Sequence, residues 1–289
     1  MLRLAAALLL ALLVCLPAAA DADREAVYKK TPQGDLSLSI HLPPDWKATD
    51  SRPAIVFFFG GGWNKGRVTQ FESQATYLAT RGMVAARADY RVKSRHGVSP
   101  DACVEDAKSA VRWLRGHAGE LGIDPKRIVA SGGSAGGHLA ACTLLTPGLE
   151  AKGEDTSISS RPSALVLYNP ALDLRNLGRF TGNLDAKVVE AISPVAHVTK
   201  GLPPTIMYYG TDDRLLAQGR AMLKEMKAHG NRVELYTAEG QGHGFFNRPP
   251  WLPVTTRQTD RFLTSIGYLK GEPTVEAPDD AKATLKREE

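Results

Sequence analysis

From Asp21 to Leu269 the chain alternates short, continuous apolar runs with longer amphipathic stretches. Ala54 to Phe59, Met83 to Ala88, Ile128 to Ser131, Ala164 to Tyr168, Thr205 to Tyr209 and Val233 to Thr237 have the length and apolar continuity of strands buried on both faces. Leu36 to Leu42 instead alternates apolar and polar residues, as a half-buried strand near a sheet edge does. Helical patterns separate the runs at Phe71 to Thr80, Pro100 to Ala118, Ala135 to Leu145, Leu216 to His229 and Thr255 to Leu269. In the second of these, Val104, Ala107, Ala110, Val111 and Leu114 form one apolar stripe at helical spacing. Regular succession of strand and helix predicts an α/β fold with a mostly parallel central sheet covered by helices on both faces. Such sheets bind ligands beyond the carboxyl ends of their strands, so the residues that follow each strand are the first candidates for chemistry.

Four segments emerge there. Gly60-Gly61-Gly62-Trp63 follows the first buried run, Gly132-Gly133-Ser134-Ala135-Gly136-Gly137 the third, Gly210-Thr211-Asp212-Asp213 the fifth, and Gly240-Gln241-Gly242-His243-Gly244-Phe245 the sixth. A serine flanked by glycines between strand and helix reads as a nucleophile elbow: the sharp turn requires positions two before and two after to lack a Cβ, and both are Gly. Ser134 is a weak nucleophile until a base takes its proton, and His243 has the chemistry for that task. A carboxylate must orient the imidazole, and the adjacent Asp212 and Asp213 are candidates, with Asp173 a further one. The amides of the three loop glycines Gly60 to Gly62, and that of Ala135, can approach a developing oxyanion closely. Trp63, Phe245, Phe246 and Trp251 are candidates to line the substrate cleft, whereas His138, four residues beyond Ser134, reads as a packed helix histidine.

At these residues the chain resembles the α/β-hydrolase superfamily, and within it small esterases with a HGGGW-like loop, a GxSxGG elbow, a GTxD turn and a GHGF loop. The likeness runs from Ala54 to Leu269. It implies an α/β-hydrolase fold and a serine carboxylic-ester hydrolase working through an acyl-enzyme, with Ser134, Asp213 and His243 as triad and Gly61, Gly62 and Ala135 as oxyanion donors. Phe59 stands where the loop usually carries His, so another contact must hold that loop. Gly133, where relatives of hormone-sensitive lipase tend to carry Asp, draws the resemblance toward secreted feruloyl and acetylxylan esterases, and so toward short acyl or feruloyl groups on carbohydrate.

The N-terminus adds an address. Arg3 is the only charge before Asp21, Leu4 to Leu16 is apolar, and Ala18-Ala19-Ala20 forms an A-x-A site, so residues 1–20 read as a signal peptide and the protein as exported, to a periplasm or beyond. A membrane span needs about 20 apolar residues, and Pro17 interrupts the run before that, so no stable anchor is expected. The chain carries 36 Lys and Arg against 31 Asp and Glu, a net of +5; without the leader it is +4. These charges are scattered and accompany no nucleic-acid motif. Cys103 and Cys142, the two cysteines left after processing, read as buried thiols.

No HExxH, Cys/His ligand spacing or phosphate loop occurs, so neither metal nor other cofactor is implied, and the expected partner is a small ester or acylated polysaccharide. The segment 270–289, rich in Pro, Asp, Lys and Glu, reads as a disordered tail beyond the single domain 21–269. Two rivals keep the same fold: a peptidase of the prolyl-oligopeptidase type, which normally carries a large extra domain, and a catalytically inactive carbohydrate-binding module, against which the intact Ser134, Asp213 and His243 argue. The cleft itself is expected to be open and rimmed by Trp63, Phe246 and Trp251, because the long connection from Asn169 to Pro204 is broken by Pro170, Gly178, Gly182, Pro194 and Gly201.

Overall fold

The computed structural model describes residues 23–278 and 283–289; the leader expected over residues 1–20 lies outside them. One nine-stranded sheet organises the molecule. Its strands are β1 (Arg24–Thr31), β2 (Gly34–His41), β3 (Arg52–Phe58), β4 (Val84–Ala88), β5 (Ile123–Gly133), β6 (Ala164–Tyr168), β7 (Thr205–Gly210), β8 (Val233–Ala238) and β9 (Leu285–Arg287). In space they run β1-β2-β4-β3-β5-β6-β7-β8-β9, with β3 to β8 parallel and antiparallel strands closing both ends.

The helices are α1 (Glu72–Thr80), α2 (Lys93–His96), α3 (Pro100–Gly116), α4 (Ala118–Leu121), α5 (Ala135–Leu145), α6 (Gly178–Thr181), α7 (Ala186–Ala191), α8 (Leu216–Ala228) and α9 (Trp251–Ser265). Strand alternation divides the core between two faces. Ala54, Val56 and Phe58 of β3 point into the layer filled by α3, α5 and α8, while Ile55 and Phe57 point into the layer filled by α1 and α9. All eleven residues of α5 are buried, which is why its sequence is apolar but for His138 and Thr143 where α3 carries only a stripe.

The expected parallel strands and main helices appear with ends shifted by a few residues; the helix expected from Thr255 to Leu269 runs from Trp251 to Ser265. The tail departs from expectation. Leu285–Arg287 returns to the sheet as β9, antiparallel to β8, and the Glu288 carboxylate pairs with Arg220 of α8. Sheet hydrogen bonding, which needs no large side chain, orders a stretch that composition reads as disordered. Ahead of the first buried run, β1 and β2 form a hairpin over residues 24–41.

Candidate active site

Strand β5 lies between β3 and β6, and its carboxyl end delivers Ser134 into the start of α5 at φ 54° and ψ −117°. That left-handed turn is possible because nothing crowds it. A Cβ on Gly132 would lie 2.5 Å from the Gly136 carbonyl carbon, and one on Gly136 would lie 2.0 Å from the Phe58 carbonyl oxygen. The glycines of the elbow are therefore required by close backbone packing of β5 against β3 and α5.

The serine faces the histidine loop. Ser134 Oγ is 2.8 Å from His243 Nε2, and His243 Nδ1 is 2.7 Å from Asp213 Oδ2. Asp213 can accept only from a protonated Nδ1, which leaves Nε2 as the acceptor for the serine hydroxyl. The second oxygen of Asp213 accepts the Leu215 N–H at 2.9 Å, fixing a carboxylate whose side chain is 2% exposed. Asp212, next to it, is exposed and makes no bond to His243; Asp173 is turned away into an ion pair with Arg175. Asn169, held at φ 36° and fully buried, accepts the Gly244 N–H at 3.0 Å and so steadies the histidine loop from β6.

Opposite the serine, the glycine loop runs through φ 131° at Gly61 and 64° at Gly62. The N–H groups of Gly61, Gly62 and Ala135 donate to no other residue among those described, so all three are available to a ligand oxygen. The contact that replaces the missing loop histidine is a set of four. Phe59 stacks on Tyr90 at 4.1 Å, and the Tyr90 hydroxyl donates to the Phe59 carbonyl at 2.7 Å. Gln70 Oε1 accepts the Gly60 N–H at 2.6 Å. Trp63 Nε1 donates to His138 Nδ1 at 3.1 Å, and His138 Nε2 in turn donates to the Ile192 carbonyl at 2.7 Å. Trp63 has no acceptor capacity, so these partners fix His138 as the neutral Nε2–H tautomer, and burial pushes its pKa down to about 4.

A cleft of about 1640 Å³ opens over Ser134. Of the four aromatic residues expected in it, Trp63 and Phe246 line it, though both are buried and show only part of a ring. Phe245 and Trp251 do not reach it. They meet each other edge to face at 5.5 Å, pack into the α9 layer, and border a separate depression beside the histidine loop. Trp251 begins α9, whose apolar face turns it into the core rather than toward the rim. The cleft is also less open than expected: the connection after β6 carries α6 across it, and Phe180 stands 5.5 Å from Trp63 and over Gly62. Among the described residues, no group of three His, Cys, Asp or Glu side chains is placed to hold a metal ion.

Residues 38–167 match the BD-FAE family, and residues 179–247 match a family described as alpha/beta hydrolase fold. Among solved structures, the apo form of Thermogutta terrifontis esterase 2 is 48% identical and superposes with a TM-score of 0.82, the match covering 89% of this chain and 98% of that one. The same thermophilic esterase is known with propionate bound, with butyrate bound and phosphonylated by sarin. Curated relatives include carboxylesterase NlhH of Mycobacterium tuberculosis, 25% identical over 80% of this chain and 78% of its own length. Another is a probable isoprenylcysteine alpha-carbonyl methylesterase of Arabidopsis thaliana, 27% identical over 76% of this chain, which spans 50% of that protein's length.

Proposed function

The chain belongs to the α/β-hydrolase fold esterases and is a serine carboxylesterase, and from that premise we propose that Ser134, His243 and Asp213 carry the reaction on short acyl esters. The observation that supports these roles is the unbroken chain from Ser134 Oγ through His243 to Asp213, at 2.8 and 2.7 Å. In this reading Ser134 Oγ attacks the ester carbonyl carbon as its proton passes to His243 Nε2. Asp213 stabilises the imidazolium so formed, and the Gly61, Gly62 and Ala135 amides receive the oxyanion. Collapse of the tetrahedral species breaks the carbon–oxygen bond to the alcohol, which leaves with the proton from Nε2. Water then attacks the acyl-serine, giving its proton to Nε2, and the carboxylic acid departs as Ser134 recovers its own.

A short acyl group suits the ground nearest the serine. A Cβ on Gly133 would lie 2.6 Å from the tip of Phe246, so the aromatic wall comes up to the elbow itself. The bound propionate and butyrate of the Thermogutta esterase fit the same size class. We further propose a carbohydrate as the alcohol, for which the remaining cleft volume leaves room, and action outside the cytoplasm after removal of residues 1–20.

The test is a series of p-nitrophenyl esters from acetyl to longer acyl chains, with xylan acetate and ferulate release in parallel. Ser134→Ala should lose about a millionfold in kcat while keeping the fold, and a fluorophosphonate should label the parent protein and not the variant. Retained turnover in purified Ser134→Ala ends the assignment. Rates that climb steadily to long chains, with no acetate or ferulate released from xylan, end the short-acyl and carbohydrate readings.

A further inference from the structure

The cleft mouth is unevenly charged. Lys65 and Arg67 stand on the glycine-loop side, Arg179 on α6, and Arg214 directly after the candidate catalytic acid, all four exposed and all lining the cleft. Among the described residues, none of these four makes an ion pair or a side-chain hydrogen bond; Arg179 only lies over the Phe180 ring, 4.6 Å from its centroid. Against them the cleft has one exposed carboxylate, Asp212, since Asp213 is buried against His243.

Several arginines elsewhere in this fold are instead held by carboxylates. Arg91 forks onto Asp106, Arg112 holds Glu150 and Glu154, Arg175 holds Asp173, and Arg220 holds Glu288. A guanidinium left without a carboxylate keeps its planar donor fork free for an anion from outside. Low-dielectric walls such as Trp63, Phe180 and Phe246 strengthen the field of cations at the mouth of a cleft.

We propose that the ester this enzyme takes carries a negative charge on its alcohol half, a carboxylate-bearing alcohol such as a uronic acid unit being the carbohydrate form. The charge belongs to the alcohol half because a short acyl group stays beside the elbow, so the part of the ester long enough to reach the four cations is the leaving group. This inference rests on the esterase reading above and adds the substrate's charge to it.

The experiment compares 4-acetoxybenzoate, which is anionic, with 4-acetoxybenzamide, its neutral counterpart, each kcat/KM divided by that ester's own rate of alkaline hydrolysis. At about 0.05 M salt the anionic ester should be favoured about threefold to tenfold, the range that one or two solvent-exposed ion pairs supply. The preference should fall toward parity at about 0.5 M salt, where screening is nearly complete across the cleft. Arg179→Gln and Arg214→Gln should each lower the anionic-to-neutral ratio at low salt. A ratio at or below one at low salt, with the neutral ester readily cleaved, overturns the charge preference and leaves the esterase reading standing. Failure to cleave either ester overturns both.

Discussion

Gln70 and Asn247, 177 positions apart in sequence, are bonded side chain to side chain, Nε2 donating to Oδ1 at 3.0 Å. The other end of each amide grips a loop of the active site: Gln70 Oε1 takes the Gly60 N–H, and Asn247 Nδ2 donates to the Gly244 carbonyl at 3.0 Å. The glycine loop and the histidine loop are thereby tied to one another across the serine. Gln70→Ala should lower kcat about tenfold to hundredfold with a smaller change in KM, since loosened loops misplace groups that matter in the transition state. Gln70→Glu keeps the acceptor for Gly60 and should recover part of the loss. Equal kcat in all three proteins would show that the bridge positions nothing.

For the acid, Asp213→Asn should cost about a thousandfold or more in kcat, because an amide opposite His243 favours the wrong tautomer and leaves the imidazolium unsupported. Asp212→Asn, altering an exposed side chain with no bond to the histidine, should change kcat little. Steady-state kinetics on p-nitrophenyl acetate ranks the two, and the reverse ranking moves the role to Asp212.

His138 makes stability pH-dependent. Its folded pKa of about 4 lies below the ordinary histidine value, so the unfolded chain takes up the proton first. Its contribution is present in full above about pH 6.5 and is lost as pH falls toward 4, a total of about 3 kcal/mol by linkage. Protonation would also set an Nδ1–H against the Trp63 Nε1–H. Urea unfolding between pH 6.5 and 4.5 should therefore show a shallower loss in His138→Gln than in the parent. His41, also held low by burial and by Arg87, keeps part of the slope in both. Identical slopes would refute the assignment to His138.

Cys103 and Cys142 are free and buried, and burial holds both thiols above their ordinary pKa, Cys142 at about 12. Both should resist a thiol reagent at pH 8 in the folded protein and react on unfolding. Rapid modification of the native protein would contradict that burial.

Most of this site could be read from the chain because its parts are short motifs fixed by backbone geometry. Gly132 and Gly136 announce the elbow since no other residue fits there, and each remaining segment follows a legible strand. Gln70, Asn169 and Asn247 gave no such signal: an amide side chain in a loop acquires its role only from what folding brings opposite it. The aromatic residues show the limit from the other side. Phe246 and Trp251 lie five positions apart, yet one edges the cleft and the other enters the α9 core, a distinction made by helix phase at a boundary that apolar spacing set four residues too late. The β9 strand was hidden for a related reason, since Leu285-Lys286-Arg287 has almost no apolar pattern and is held by its backbone partners on β8.

The antiparallel strands at the two ends of the sheet have a bearing on how crowded solutions of this protein behave. An open sheet edge is an invitation to pair with another copy. At one end β1 answers with Arg24, Glu25, Lys29 and Lys30 and with a register shift between Val27 and Lys29, so that a second chain meets charge and a broken ladder. At the other, β8 would present a Val-Glu-Leu-Tyr-Thr-Ala template were it not already occupied by Leu285–Arg287. Leu285–Arg287, remote from the chemistry, thus cover that edge: deleting them would bare a ready strand in β8 and favour pairing with a second copy.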